Sequence, residues 1–177
     1  MATTFTKIAS VTVGAGGASS IAFSSIPSTY TDLCIKISGR TTQTGSIRNT
    51  SDLALTFNGS TSGYSSKLLS ANPAIDNPPI SASNSGTSIV WGGMVSNADA
   101  TASTFGSVDI YIPNYAGANY KSVSVDSVSE NNSTNAGQEF TAGLWSNTAA
   151  ITSITSTPGA GNFVQYSTAI LYGISKS

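Results

Sequence analysis

From Phe105 to Val128 the chain reads FGSVDIYIPNYAGANYKSVSVDSV. Val108, Ile110 and Ile112 alternate with Asp109 and Tyr111, the period of two that marks a strand with one buried face. Pro113 removes a ladder donor and ends that strand. Asn114 to Asn119 has loop chemistry, because Asn and Gly tolerate positive φ. Tyr120, Lys121, Val123 and Val125 then open a second strand. The pattern predicts a long hairpin with an aromatic-flanked loop.

The same alternation recurs along the chain. Ile8 to Val13 reads as a first strand and Ser20 to Ser24 as a short second one. The Gly14–Ser19 turn between them has the wrong glycine spacing for a phosphate loop, and a strand follows it instead of a helix. Leu33, Ile35 and Ile37 line one side of a third strand, with Cys34, Lys36 and Ser38 opposite. Arg40 to Asp52 is polar and reads as a surface loop. Leu53, Leu55 and Phe57 resume the period of two, and Asn58-Gly59 is a strong hairpin-turn signal. Lys67-Leu68-Leu69 fits a short strand or a helical turn. Pro73, Pro78 and Pro79 predict a long loop over 72–86. Thr87 to Val95 reads as a strand with Ile89, Trp91 and Val95 on one side, and Gly92-Gly93 mark a bulge or a close backbone approach.

After the hairpin, Phe140, Ala142 and Leu144 alternate with Glu139, Thr141 and Trp145. Ile151 to Thr155 is a further strand. In Phe163 to Ile174, Tyr166, Ile170, Tyr172 and Ile174 share one side while Phe163, Ala169 and Leu171 share the other. A strand apolar on both faces is central or buried at an interface. About ten strands with regularly spaced turns and no helix predict an all-β fold, an antiparallel two-sheet sandwich of jelly-roll type. No linker or composition break divides residues 1–177, so one domain is expected.

Composition narrows the function classes. Charged residues are 8% of the 177-residue chain, against about 25% in an average domain. The polar surface must therefore come from Ser, Thr, Asn and Gln. Seven Lys and Arg against eight Asp and Glu leave a net charge of −1, which supplies little of the repulsion that keeps monomers apart. Seven scattered cations make no basic patch for nucleic acid and no polybasic run for an anionic membrane. No stretch reaches the ~18 apolar residues of a membrane helix. The start, MATTFTKIAS, lacks the apolar core of a secretory signal, so the expectation is a soluble protein made inside a cell. The single cysteine, Cys34, reads as an inert strand thiol.

The chain has no histidine, which removes Ser-His-Asp and Cys-His mechanisms and nearly all zinc sites. No calcium-loop spacing occurs, and no cofactor is implied. Carboxylates remain: Asp109 and Asp126 in the two strands of the hairpin, with Glu130 and Glu139 beside the next turn. Such a pair could run glycoside hydrolysis; the plainer reading is outward residues of half-exposed strands. Asp32, Asp52, Asp76 and Asp99 sit singly, where Asp caps local backbone. Tyr115 and Tyr120 flank the hairpin loop, and Trp91 and Trp145 lie in or beside strands. Exposed, these rings could stack on sugars; otherwise they are core Trp and interface Tyr. Tyr115, Tyr120, Trp145, Tyr166 and Tyr172 are the candidate subunit or ligand contacts. Sequons at Asn49, Asn58, Asn131 and Asn132 carry no weight without a secretory signal.

Five blocks, YTDLCIKISGR, FGSVDIYIPNYAG, YKSVSVDSVSENN, AGLWSNTAAITSI and FVQYSTAILYGI, resemble small virion proteins of tailed bacteriophages, especially phages of aquatic bacteria. The resemblance implies a non-enzymatic jelly-roll subunit that decorates or cements the capsid, or forms a tail or head appendage, often as a homotrimer. It implies the virion as location, the major capsid protein or other virion proteins as partners, and for a fibre or appendage a host surface glycan.

Overall fold

The computed structural model of the chain describes residues 4–72, 79–133 and 135–175. These contain twelve strands and no helix: β1 (Phe5–Thr12), β2 (Ile21–Phe23), β3 (Asp32–Gly39), β4 (Thr50–Phe57), β5 (Tyr64–Ala71), β6 (Ile80–Gly86), β7 (Met94–Ser96), β8 (Gly106–Ile112), β9 (Lys121–Ser129), β10 (Gly137–Trp145), β11 (Ile154–Pro158) and β12 (Thr168–Ile174). All strand pairs are antiparallel. An eight-stranded sheet runs β1-β12-β3-β8-β9-β10-β5-β6, and a four-stranded sheet runs β2-β11-β4-β7. The sheets form a sandwich around one apolar cluster, a topology consistent with the jelly-roll type.

The central hairpin forms as its alternation predicts. Val108, Ile110 and Ile112 of β8 and Val123 and Val125 of β9 are buried against Leu53, Leu55 and Phe57 of the small sheet. Asp109 pairs with Asp126 and Tyr111 with Ser124 on the other face. β12, apolar on its inner side and half-buried on its outer side, sits between β1 and β3.

The strands expected at Ile151–Thr155 and Phe163–Ile174 run Ile154–Pro158 and Thr168–Ile174, and four further expectations change. Asn58-Gly59 does form a tight turn, with φ of 52° and 65° and Ser60 N–H donating to Phe57 O at 2.9 Å. These are the two positive φ angles of a type I′ turn, yet β4 and β5 do not pair. They part into opposite sheets because Phe57 and Tyr64 both pack on Trp145, at 5.7 and 6.1 Å between ring centroids. The Tyr64 hydroxyl accepts from Phe57 N at 2.8 Å and so takes the place of a ladder bond. Second, Ile80–Gly86 is an edge strand and not part of a loop; Pro73, Asp76, Asn77 and Pro78 lie outside the described residues. Third, residues 87–93 make a turn, and regular pairing begins only at Met94. The close backbone approach at the glycines is real: a Cβ on Gly92 would stand 2.7 Å from Leu55 Cβ. Fourth, β4 begins at Thr50, so the 40–52 loop is shorter than its composition implies.

The scarce charges largely serve the chain itself. The Arg40 guanidinium donates to the carbonyls of Thr101, Thr104 and Ala100 at 2.9, 3.0 and 2.9 Å, closing that loop. Lys121 is buried on the inner side of β9 and donates to Gly117 O at 2.7 Å and to Asn119 O. Burial pushes both cations below their ordinary pKa, because the charged form loses solvation. Asp32 accepts from Asn114 N–H and the Tyr111 hydroxyl, each at 2.8 Å.

Candidate functional site

The outer face of the eight-stranded sheet carries the most unusual surface. β10 is the reason. Its apolar residues Phe140, Ala142 and Leu144 would be placed inside by hydropathy. The structure turns the strand the other way. Phe140 is 54% exposed, while Glu139 is 1% exposed and Thr141, Gly143 and Trp145 are buried. Trp145 decides this orientation, since it completes the aromatic cluster with Phe57 and Tyr64, and a buried aromatic is the largest single apolar contribution on the strand. Gly143 leaves room for the 87–93 turn and Gly137 for Met94 of β7: a Cβ would stand 2.7 Å from Ile89 Cδ1 and 2.8 Å from Met94 Cε respectively. Glu139 is tolerated inside because Arg48 approaches to 3.6 Å.

With β10 turned, registered pairs build an apolar patch outside. Phe140 stands between Asp126 of β9 and Leu69 of β5, which is also 54% exposed. Two residues along, Ala142 stands between Ser124 and Lys67. A depression of about 340 Å³ lies among Phe140, Leu69, Lys67, Ser124 and Ala142. Val128, at the far end of β9, is also exposed. Across β8 and β3 the face is more polar: Asp109 pairs with Lys36 at 2.5 Å, a half-exposed contact worth about 0.2–1 kcal/mol. Beyond it, Phe5 meets Tyr172 edge-on at 6.2 Å.

The five aromatic candidates do not come together. Tyr115 and Trp145 are core residues, which corrects their reading as contacts. Tyr115 lies under the hairpin loop, where its hydroxyl donates to Pro27 O and accepts from Tyr30 N at 3.4 Å. Tyr120 is 57% exposed beside the start of β9, and Tyr166 is 69% exposed before β12, at the opposite end of the sheet. Tyr166 also has φ of 72°, a conformation that costs a non-glycine residue about 1–2 kcal/mol. Tyr172 is half-buried on the outer face, flanked by Lys7 and Cys34. Cys34 is buried on that same side, and burial raises its thiol pKa, which favours the unreactive protonated form.

Asp109 and Asp126 are direct cross-strand neighbours, as the hairpin predicts, and both stand on the open outer face. Among the described residues no three Cys, Asp or Glu side chains gather where a metal could be held, and no helix is long and apolar enough to cross a membrane. The residues that sequence reasoning misses are Phe140, Leu69 and Val128. The available signal is that β10 is apolar on both sides, with Trp145 on one and Phe140 on the other. No protein-family model, curated protein or solved structure matches the chain.

Proposed function

We propose that the chain is a non-enzymatic structural subunit of a tailed-bacteriophage virion, a decoration or cement protein that binds the outside of the shell and stabilises it through self-association. The observation that carries this reading is the apolar patch around Phe140 and Leu69 on the outer sheet face of a chain with only 8% charged residues. Exposed apolar patches mark interaction surfaces, and a weakly charged surface offers little repulsion between copies. The resemblance of the hairpin and C-terminal blocks to small phage virion proteins supplies the partner, the major capsid protein. The test is co-sedimentation of the purified protein with undecorated shells, read together with shell melting. Saturable binding and a raised shell melting temperature are expected; no binding to any shell overturns the proposal.

A second reading is an appendage module that holds a host surface glycan through Tyr120, which is exposed beside Asn119. It has weaker support, since Tyr120 and Tyr166 stand at opposite ends and form no common platform. Binding to host lipopolysaccharide that Tyr120→Ala abolishes would favour it over the first.

A further inference from the structure

The patch around Phe140 carries opposite charges at diagonal positions. Asp126 lies on one side of β10, level with Phe140; Lys67 lies on the other side, level with Ala142. Both are exposed, and neither makes an ion pair among the described residues. An acid and a base therefore stand diagonally across an apolar centre formed by Phe140, Leu69 and Ala142. A surface of that kind is complementary to itself, the requirement for an isologous contact.

We infer that this face pairs with the same face of a second copy. A two-fold axis parallel to the sheet, crossing β10 between Phe140 and Ala142, sets Asp126 of each copy over Lys67 of the other. With strands ~4.8 Å apart and same-face residues ~6.8 Å apart, that diagonal makes the strands of the two copies cross at about 70°. This is closer to the orthogonal class of sheet packing than to the aligned one. The same operation brings each Phe140 against Phe140 and Leu69 of the other copy, at the depression between Leu69, Lys67 and Ala142. The apolar centre supplies affinity, and the two charge pairs fix the register and exclude other partners. The pairing concerns the chain alone and stands whether or not the subunit belongs to a virion.

Sedimentation velocity over a concentration series tests it with the purified chain. A monomer–dimer equilibrium is expected. Phe140→Glu, Asp126→Lys and Lys67→Asp, all at exposed positions, should each weaken dimerisation by about tenfold or more. The double variant Asp126→Lys/Lys67→Asp should restore it, because the swapped charges meet again. A monomer up to the solubility limit, a trimer mass, or a dimer indifferent to Phe140→Glu overturns the inference. So does a double charge swap no better than either single one.

Discussion

In β8, Val108, Ile110 and Ile112 point into the core while Asp109 and Tyr111 point out; in β10, two places along the same sheet, Glu139 and Thr141 point in and Phe140 points out. Both strands alternate with period two, so periodicity alone describes them equally well. The difference lies in what each covering layer provides. The inner row of β8 joins Leu53, Leu55 and Val95 in the apolar cluster, which rewards aliphatic side chains. Over β10, Ile89 and Met94 leave no room for a Cβ at Gly143 and Gly137, and the Arg48 turn supplies a cation for a carboxylate. One large residue, Trp145, then sets the direction of the whole strand, because a one-residue change of facing moves every side chain to the other side.

The largest test of that contrast is on β10 itself. Trp145→Ala removes the centre of the Phe57–Tyr64–Trp145 cluster, and should cost about 3–5 kcal/mol. Phe140→Ala, five residues away and half-exposed, should stay within about 0.5 kcal/mol in the monomer. Urea unfolding of the two variants in dilute solution measures both, and equal losses would mean that β10 faces the other way.

Arg48→Met comes next. It takes the Arg48 cation away from buried Glu139, a loss of about 3 kcal/mol for a buried pair. Adding Glu139→Gln should recover part of it, since the buried charge is gone. Chemical denaturation of the single and double variants reads the coupling; a double variant no more stable than Arg48→Met breaks the argument for why a carboxylate sits inside.

The smallest effect concerns Asp52, on the β4 side of the same corner. Burial raises its carboxyl pKa above the ordinary 3.8, with Arg48 opposing. The folded state then keeps a proton that the unfolded state has released, so this group lowers stability as pH rises through that window. Asp52→Asn should therefore be as stable as the parent at pH below 3.8 and more stable at neutral pH. A stability difference that shrinks with rising pH would contradict the assigned direction.

Much of the fold was legible from residues alone. The β8–β9 hairpin, the inward Leu33–Ile35–Ile37 row and the two-faced β12 all follow from alternation, which needs only neighbouring positions. Asn58-Gly59 was legible as a turn but not as a hairpin: its φ angles are local, whereas the partners of the strands it joins are set by the aromatic cluster. Of the candidate contacts, Tyr120 and Tyr166 are exposed while Tyr115 and Trp145 are core, and no local feature separates these two pairs. A ring beside a loop can lie over the loop or under it, and Tyr115 lies under because Pro27 and Tyr30 offer its hydroxyl partners 88 and 85 residues away.

Residue type and near spacing were enough to set the strand periods, the lack of histidine chemistry and the weakly charged, hydroxyl-rich surface. The tertiary structure alone decided which side of β10 meets the core, and with it that Phe140 and Leu69 form an outward patch between Asp126 and Lys67. That choice rests on contacts between segments far apart in the chain, Trp145 with Phe57 and Tyr64, Gly143 with Ile89, and Glu139 with Arg48, and no periodicity within one strand encodes them.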